Sequence, residues 1–153
     1  MGDYTRIKFY AKLRGDTPAG VLDVLRASFT SDEAVPKELR PDHPFFRAPR
    51  WEPLFHCTSA YFETPGPRGL LEGETTILQF HSSLKNYDDE IEKFCDWIGP
   101  YLAEPPGTVV GERQFIGDLI FLIVGVGGRI IELSKADEAS NESVSGEAPA
   151  AIE

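Results

Sequence analysis

Residues 4–13 alternate between apolar and polar side chains with the two-residue period of a β-strand. One side of this segment is apolar and consists of Ile7, Phe9, Ala11 and Leu13. The other side consists of Arg6, Lys8, Tyr10 and Lys12. Because successive side chains of a strand point to opposite faces of a sheet, the pattern predicts a strand with one buried face.

Two later segments place their apolar residues at the three- and four-residue spacing of an amphipathic helix. Thr17 and Pro18 supply an N-cap and a first-turn proline for a helix predicted over residues 18–29. A second helix is predicted to begin near Asn86 and to end or kink at Gly99-Pro100. Its apolar stripe consists of Ile91, Phe94, Cys95 and Ile98.

The remaining strands are predicted from short runs that are rich in β-branched and aromatic residues. These runs cover residues 55–63, 75–83, 108–115, 119–126 and 129–133. Residues 64–69 have the composition of a turn between the first two runs. Gly127-Gly128 is predicted to form a two-residue hairpin turn, because such turns require positive φ at both central residues.

The segment from residue 31 to residue 55 is rich in proline and also carries a heavy aromatic load. Its aromatic residues are Phe45, Phe46, Trp51 and Phe55. Leaving such rings in water costs about 25 cal/mol for each Å² of exposed apolar surface. We therefore expect this segment to fold back onto the domain instead of serving as a linker.

The order of these elements predicts an α+β fold: a mostly antiparallel sheet with two helices on one face, ferredoxin-like or split-βαβ-like. Residues 1–133 are expected to form a single domain. Residues 134–153 contain almost nothing to bury and are predicted to be a disordered acidic tail.

The charge of the chain narrows the classes of partner. The formal net charge is −10, and five of these negative charges come from the stretch that begins at Glu132. The remaining −5 on the body argues against binding of a nucleic acid, which needs clustered lysines and arginines. We find neither an apolar run long enough for a membrane span nor a signal peptide. The expected location is therefore the cytoplasm, which is the host cytoplasm if the protein is encoded by a phage.

A metal site or a reactive cysteine is disfavoured by the spacing of the candidate residues. His56, Cys57 and His81 are residue types that bind zinc, but His56 and Cys57 are adjacent on a predicted strand and point to opposite faces. Cys95 lies on the apolar stripe of the second helix, where burial makes a thiol unreactive. We predict no metal and no cofactor.

Two further runs are explained by structure alone. The carboxylates Asp88, Asp89, Glu90 and Glu92 fall at the predicted start of a helix, where they favour the helix dipole and are expected to lie in solvent. Residues 125–129 superficially resemble a phosphate-binding glycine loop. However, such loops lead into a helix, whereas a strand is predicted to follow here.

The strongest candidate for a binding site is a cluster of aromatic and cationic residues within the proline-rich segment. Tryptophan and arginine dominate binding hot spots, and arginine can bind carboxylate or phosphate through two parallel hydrogen bonds. The candidate residues in this segment are His43, Arg47, Arg50 and Trp51. Lys85, Asn86 and Tyr87 could form an adjacent corner that favours anions, although capping of the second helix also accounts for Asn86.

The same regions resemble a group of small uncharacterised proteins from tailed phages of actinobacteria and from related bacterial genomes. The resemblance runs through most of residues 1–133. It is carried by Met1-Gly2-Asp3-Tyr4-Thr5, Asp42-His43-Pro44-Phe45-Phe46, Arg50-Trp51, Leu84-Lys85-Asn86-Tyr87-Asp88, Glu90-Ile91 and Trp97-Ile98-Gly99-Pro100-Tyr101. The chain departs from the group at residues 112–115. The resemblance implies a phage or prophage accessory setting and no particular activity.

Three functional hypotheses follow from these observations. The first is a non-catalytic binding protein that engages a host protein or a small anionic ligand. The second is a small hydrolase with His43, His56 or His81 as general base, because histidine titrates near neutral pH. The third is a structural or self-assembling protein, such as a homodimer formed through an exposed edge of the β-rich final third.

Overall fold

A computed structural model describes residues 4–30, 34–55, 69–115 and 117–134 of the chain. Within these residues, six strands form one sheet in the order β2-β3-β1-β4-β5-β6, and every neighbouring pair is antiparallel. The strands are β1 (Thr5–Leu13), β2 (Gly69–Leu71), β3 (Thr76–Leu84), β4 (Val109–Phe115), β5 (Asp118–Val124) and β6 (Ile130–Ser134). The α-helices are α1 (Ala19–Thr30), α2 (Pro44–Arg47) and α3 (Glu90–Ile98).

The predicted α+β class and the predicted placement of the helices are confirmed. Phe9 of β1 stacks on Phe80 of β3 and meets Phe94 of α3 edge to face. Phe29 of α1 contacts Phe80 on the same face of the sheet. β3 lies between β1 and β2, which run in the same direction, and this order is compatible with a split-βαβ arrangement. The closer ferredoxin-like assignment stays a prediction.

The proline-rich segment packs against the sheet and α3, as expected. It is organised by short helical turns, Lys37–Leu39, α2 and Glu52–Phe55. The buried ring of Phe45 lies at the centre of an aromatic cluster. Its ring centroid is 4.8 Å from Phe46, 5.7 Å from Trp51 and 5.6 Å from Phe94. The rings that seemed costly to expose therefore form part of the core.

The structure corrects the prediction for residues 55–69. Phe55 ends the 3-10 turn Glu52–Phe55 instead of beginning a strand, and residues 56–63 lie outside the described residues. β2 begins at Gly69, which was assigned to a turn. The sequence pattern missed β2 because three residues are too few to show a two-residue period.

The second long helix begins later than predicted. α3 starts at Glu90, because Asn86 and Asp89 adopt left-handed φ angles of 55° and 57° and the loop between them is not helical. Asn86 still acts as a cap, since its side-chain Oδ1 accepts a hydrogen bond from the Ile91 amide at 2.9 Å. The residue type was therefore a correct signal of capping, but its position relative to the helix was wrong.

The β5–β6 connection is longer than the predicted two-residue turn. Gly127 and Gly128 do have positive φ angles, 84° and 86°. However, β5 ends at Val124 and β6 begins at Ile130, so five residues join the strands. The loop is closed by hydrogen bonds from the Gly125 amide to the Arg129 carbonyl at 2.6 Å and from the Gly128 amide to the Gly125 carbonyl at 3.1 Å.

The C-terminal end of the folded domain lies one residue later than predicted. Ser134, predicted as the first residue of the tail, is the last residue of β6. The rest of the predicted tail, residues 135–153, lies outside the described residues.

Candidate ligand-binding cleft

A cleft of about 290 Å³ lies where β1 begins and β3 ends. Three of the predicted site residues, Arg50, Lys85 and Asn86, line it. The other lining residues are Tyr4, Pro53, Leu84 and Glu90. The structure therefore brings the end of the proline-rich segment together with the loop that follows β3.

The antiparallel pairing of β1 and β3 positions the two sides of the cleft. Thr5 at the start of β1 is paired with Leu84 at the end of β3, so Tyr4 lies beside the loop of residues 85–89. Within the described residues, this loop contains both non-glycine residues with positive φ, Asn86 and Asp89. Such backbone conformations are disfavoured and often occur at functional sites. Between them Tyr87 is left 56% exposed.

Two cations that line the cleft share the exposed ring of Tyr87, which is not itself a lining residue. The guanidinium carbon of Arg50 is 5.3 Å from the centroid of this ring, and the Lys85 ammonium is 5.7 Å from it. The Lys85 ammonium is also 5.6 Å from the ring centroid of Tyr4. Among the described residues, no carboxylate lies within 4.0 Å of either cation. Cation–π contacts hold both cations in place without neutralising their charge.

Asn86 anchors the loop through both ends of its side-chain amide. While its oxygen accepts from the Ile91 amide, its nitrogen donates to Glu92 Oε1 at 3.2 Å. Glu92 Oε2 in turn accepts a hydrogen bond from Arg113 at 2.7 Å, and Arg113 also donates to Glu132 of β6 at 2.9 Å. We call this series, Asn86, Glu92, Arg113 and Glu132, the polar chain.

The charge of Glu92 is stabilised within the polar chain. Burial alone favours the neutral acid and raises the pKa of Glu92. The hydrogen bond and the positive charge of Arg113 outweigh this effect and lower the pKa below its usual value of 4.5. Glu92 is therefore held as a carboxylate, and it lies exposed in the first turn of α3, as predicted.

Glu90, by contrast, corrects the prediction that the acids at the start of α3 lie in solvent. Only 1% of its surface is exposed, and its Oε1 accepts a hydrogen bond from the Asp88 amide at 3.2 Å. Glu90 is therefore a buried acidic residue that lines the cleft together with Arg50 and Lys85. The helix-start interpretation missed this role, since it considered only the dipole.

Trp51 is a core residue and not part of an exposed binding surface. It is 3% exposed, and its ring centroid lies 4.8 Å from that of Phe46. The guanidinium carbon of Arg40 is 5.9 Å from the centroid of the Trp51 ring. The composition of a binding hot spot predicted a surface role, but the hydrophobic surface of the indole is buried within the domain.

His43 and Arg47 also lie outside the cleft. His43 caps α2, because its Nδ1 accepts a hydrogen bond from the Phe45 amide at 3.0 Å. Arg47 forms an ion pair with Asp42, and both side chains are exposed. The predicted cluster thus divides into a cleft group, which includes Arg50, and residues that stabilise the proline-rich segment or lie in solvent.

The arrangement of the histidines does not favour the hydrolase hypothesis. Since Nδ1 of His43 is an acceptor, its Nε2 carries the proton and donates to Asp96 at 2.9 Å. Neither ring nitrogen is then available as a base. His81 lies on β3 beside Lys8 of β1, and His56 and Cys57 lie outside the described residues.

Cys95 is buried on α3, as predicted. Burial, followed by the charges of Glu132 and Glu92, raises the pKa of its thiol to about 12. A thiol with such a pKa is almost entirely protonated at neutral pH and is a poor nucleophile. Within the described ranges, no three His, Cys, Asp or Glu side chains are grouped to hold a metal ion.

Comparisons with models of protein families, with curated proteins and with solved structures found no match for this chain. Among the helices that the structure describes, none is both long enough and apolar enough to cross a membrane.

Proposed function

We propose that the chain is a non-catalytic binding protein that captures a small organic anion, a carboxylate or a phosphate ester, in this cleft. One observation carries the proposal. Arg50 and Lys85 both line the cleft and lie over the same exposed ring of Tyr87, and no described acid forms an ion pair with either of them.

Arg50 and Lys85 differ from several other exposed cations of this acidic chain. The chain as a whole carries a net charge of −10, and other exposed arginines, such as Arg14, Arg26 and Arg47, are paired with carboxylates. An anion that bridges Arg50 and Lys85 would supply the missing negative charge. Charge-assisted hydrogen bonds of this kind are shorter and stronger than neutral ones.

The aromatic residues indicate what the rest of the ligand resembles. Tyr4 and Tyr87 present rings beside the two cations, and Pro53 and Leu84 add apolar surface. A volume of about 290 Å³ is at the lower end of typical ligand pockets. The cleft therefore suits a compact ligand with one anionic group and a small apolar or planar body.

Binding is favoured over catalysis by the environment of Glu90. Glu90 is the only acidic residue that lines the described cleft, and it already accepts the Asp88 amide. Together with the resemblance to phage proteins, this supports an accessory factor that acts in the host cytoplasm. Capture of a host protein at the same cations is the competing outcome, which the experiment below separates.

Calorimetric titration of the full chain with phenyl phosphate, benzoate and inorganic phosphate tests the proposal. We expect phenyl phosphate or benzoate to bind more tightly than inorganic phosphate, because only the organic anions can use the tyrosine rings. Since a charge-assisted hydrogen bond contributes about 1.5–3 kcal/mol, R50M or K85M should weaken binding roughly 10- to 100-fold.

Arg47→Met is the matched control, because Arg47 is also an exposed arginine of the proline-rich segment but lies outside the cleft. It should leave the affinity unchanged. Equal loss of affinity in R47M and R50M would show that only the overall charge matters. Absence of binding by all three probes, together with a host protein that is captured by the wild type and lost in R50M, would replace the small ligand with a protein partner.

A further inference from the structure

The face of the sheet opposite the helices differs in residue composition from the face that the helices cover. Its residues are arranged in rows of cross-strand neighbours. The row through Tyr10 contains Gln79, Val109, Ile123 and Ile131, and the row through Lys8 contains His81, Glu112, Phe121 and Leu133. We call the residues of β1, β3, β4, β5 and β6 on this side the open face.

The β1 part of the open face is basic. Arg6, Lys8 and Lys12 alternate along one strand, and both lysines are exposed. Of the described strand residues on this face, only Glu112 is acidic, and it is paired with Arg6 at 3.2 Å. In a chain with a net charge of −10, this strand presents an excess of positive charge.

The part formed by β4, β5 and β6 is apolar. Val109 and Ile131 are 52% and 49% exposed, although they are large apolar residues, and Tyr10 of the neighbouring β1 is 51% exposed. Ile123 lies between Val109 and Ile131 in the same row. Scattered exposed apolar residues are normal, but a contiguous row across several strands is typical of an interaction surface.

A cavity of about 470 Å³ joins the two parts. Lys8 and Tyr10 lie on one side of it, and Val109, Gly111 and Glu112 lie on the other. A partner that filled this cavity would contact a cation and an apolar side chain at the same time.

We propose that the open face is a docking surface for an acidic protein segment. Such a segment would place carboxylates over Lys8 and Lys12 and apolar side chains over Val109, Ile123 and Ile131. This surface is distinct from the ligand cleft, whose lining residues it does not share.

Charge complementarity favours an acidic protein segment on the open face over a second copy of the chain and over a nucleic acid. In a face-to-face dimer, the lysines of β1 would oppose apolar side chains or other lysines, because Glu112 is the only acid among the described strand residues of the face. A nucleic acid would use Lys8 and Lys12 but would leave the apolar rows of β5 and β6 without a function. An acidic segment with an apolar stripe satisfies both parts of the surface.

A titration with designed peptides tests the proposal on the full chain. The probe is an 18-residue amphipathic helix (about five turns at roughly 3.6 residues per turn) built from leucine, alanine and glutamate. Its matched probe carries lysine in place of glutamate, and a single-stranded oligothymidine is the third probe. We expect only the acidic peptide to bind, with amide shifts confined to β1, β4, β5 and β6, and with an affinity that falls as salt is raised.

Two double charge-reversal variants distinguish the effect of the open face on binding from the effect of the net charge. Lys8→Glu with Lys12→Glu should weaken binding of the acidic peptide at least about tenfold, since each lost contact of about 1.4 kcal/mol is a factor of 10. Lys37→Glu with Arg47→Glu changes the net charge equally but lies in the proline-rich segment, so it should have little effect. Thermal unfolding checks that both variants fold.

Several results would overturn the proposal. Equal binding of the acidic and basic peptides would show an unspecific apolar patch. Tighter binding of the oligothymidine would show a nucleic-acid surface. Self-association in light scattering that Ile131→Asp abolishes would assign the face to a second copy of the chain. Absence of binding at millimolar peptide would remove the docking role, and none of these results depends on the ligand cleft.

Discussion

The two faces of the sheet are built from alternate residues of the same strands, yet they differ in almost every property. On β1, Phe9 is buried against Phe80 and Phe94, whereas its neighbour Tyr10 is half exposed. The covered face carries interlocking aromatic rings, and the open face carries lysines and a row of exposed apolar side chains. One strand therefore contributes to the core through one set of residues and to the open face through the other.

This difference shows where stability and function can be changed separately. Substitutions on the covered face remove contacts that no neighbouring group can replace, because protein interiors are close-packed. Substitutions on the open face remove contacts with solvent or with a partner.

The largest effect is expected from truncation of a ring on the covered face. Phe94 is fully buried and contacts the rings of Phe9, Phe45, Phe55 and Phe80. Phe94→Ala should lower the free energy of unfolding by about 3–5 kcal/mol, measured by urea denaturation. Tyr10→Ala on the open face should cost less than about 1 kcal/mol. Similar losses in the two variants would contradict the proposed division between the faces.

A smaller effect, of opposite sign at two positions, is expected from added methyl groups. A Cβ at Gly111 would lie 2.4 Å from the Lys8 carbonyl oxygen of β1, so Gly111→Ala must push β1 and β4 apart and should cost about 1–3 kcal/mol. Gly20 in α1 has no atom within 4 Å of such a Cβ. Gly20→Ala should therefore stabilise the protein by up to about 1 kcal/mol. Melting temperatures that shift in the same direction in both variants would contradict this account.

The smallest effect concerns how the free energy of unfolding changes as the pH falls from 6 to about 3. Because the pKa of Glu92 is lower in the folded state, its contribution is fully present above the usual value of 4.5 and is lost as the pH falls through the folded value. Arg113→Met removes the cause of this shift. The stability difference between wild type and R113M should therefore narrow as the pH falls from 6 to about 3. A difference that does not change with pH would show that Arg113 acts only through packing.

The sequence predicted those parts of the fold that depend on local periodicity. The alternation along β1 and the stripe of α3 were confirmed, because one face of each element is buried and the other is not. β2 was missed because it is short and is recognised only by its pairing with β3. The start of α3 was misplaced because left-handed residues at Asn86 and Asp89 delay the helix without changing its composition.

The candidate site was predicted only in part, since it depends on contacts between distant segments. Arg50, Lys85 and Tyr87 were all named, but the sequence did not show that both cations would lie over the ring of Tyr87. Tyr4 enters the cleft through the register of β1 with β3, which residue types alone do not specify. Trp51 was assigned to the surface because tryptophan, like arginine, is common in binding hot spots. In the structure, however, Trp51 is buried.

The polar chain means that the mouth of the cleft and the far edge of the sheet share one set of hydrogen bonds. A ligand that displaced the loop of residues 85–89 would have to move Asn86, and with it Glu92 and its guanidinium partner. Glu132 belongs to β6, the outermost strand on that side, so occupancy of the cleft would alter how firmly this edge is held. Amide hydrogen exchange along β6 would then report on ligand binding in the cleft, although no residue of β6 lines the cleft.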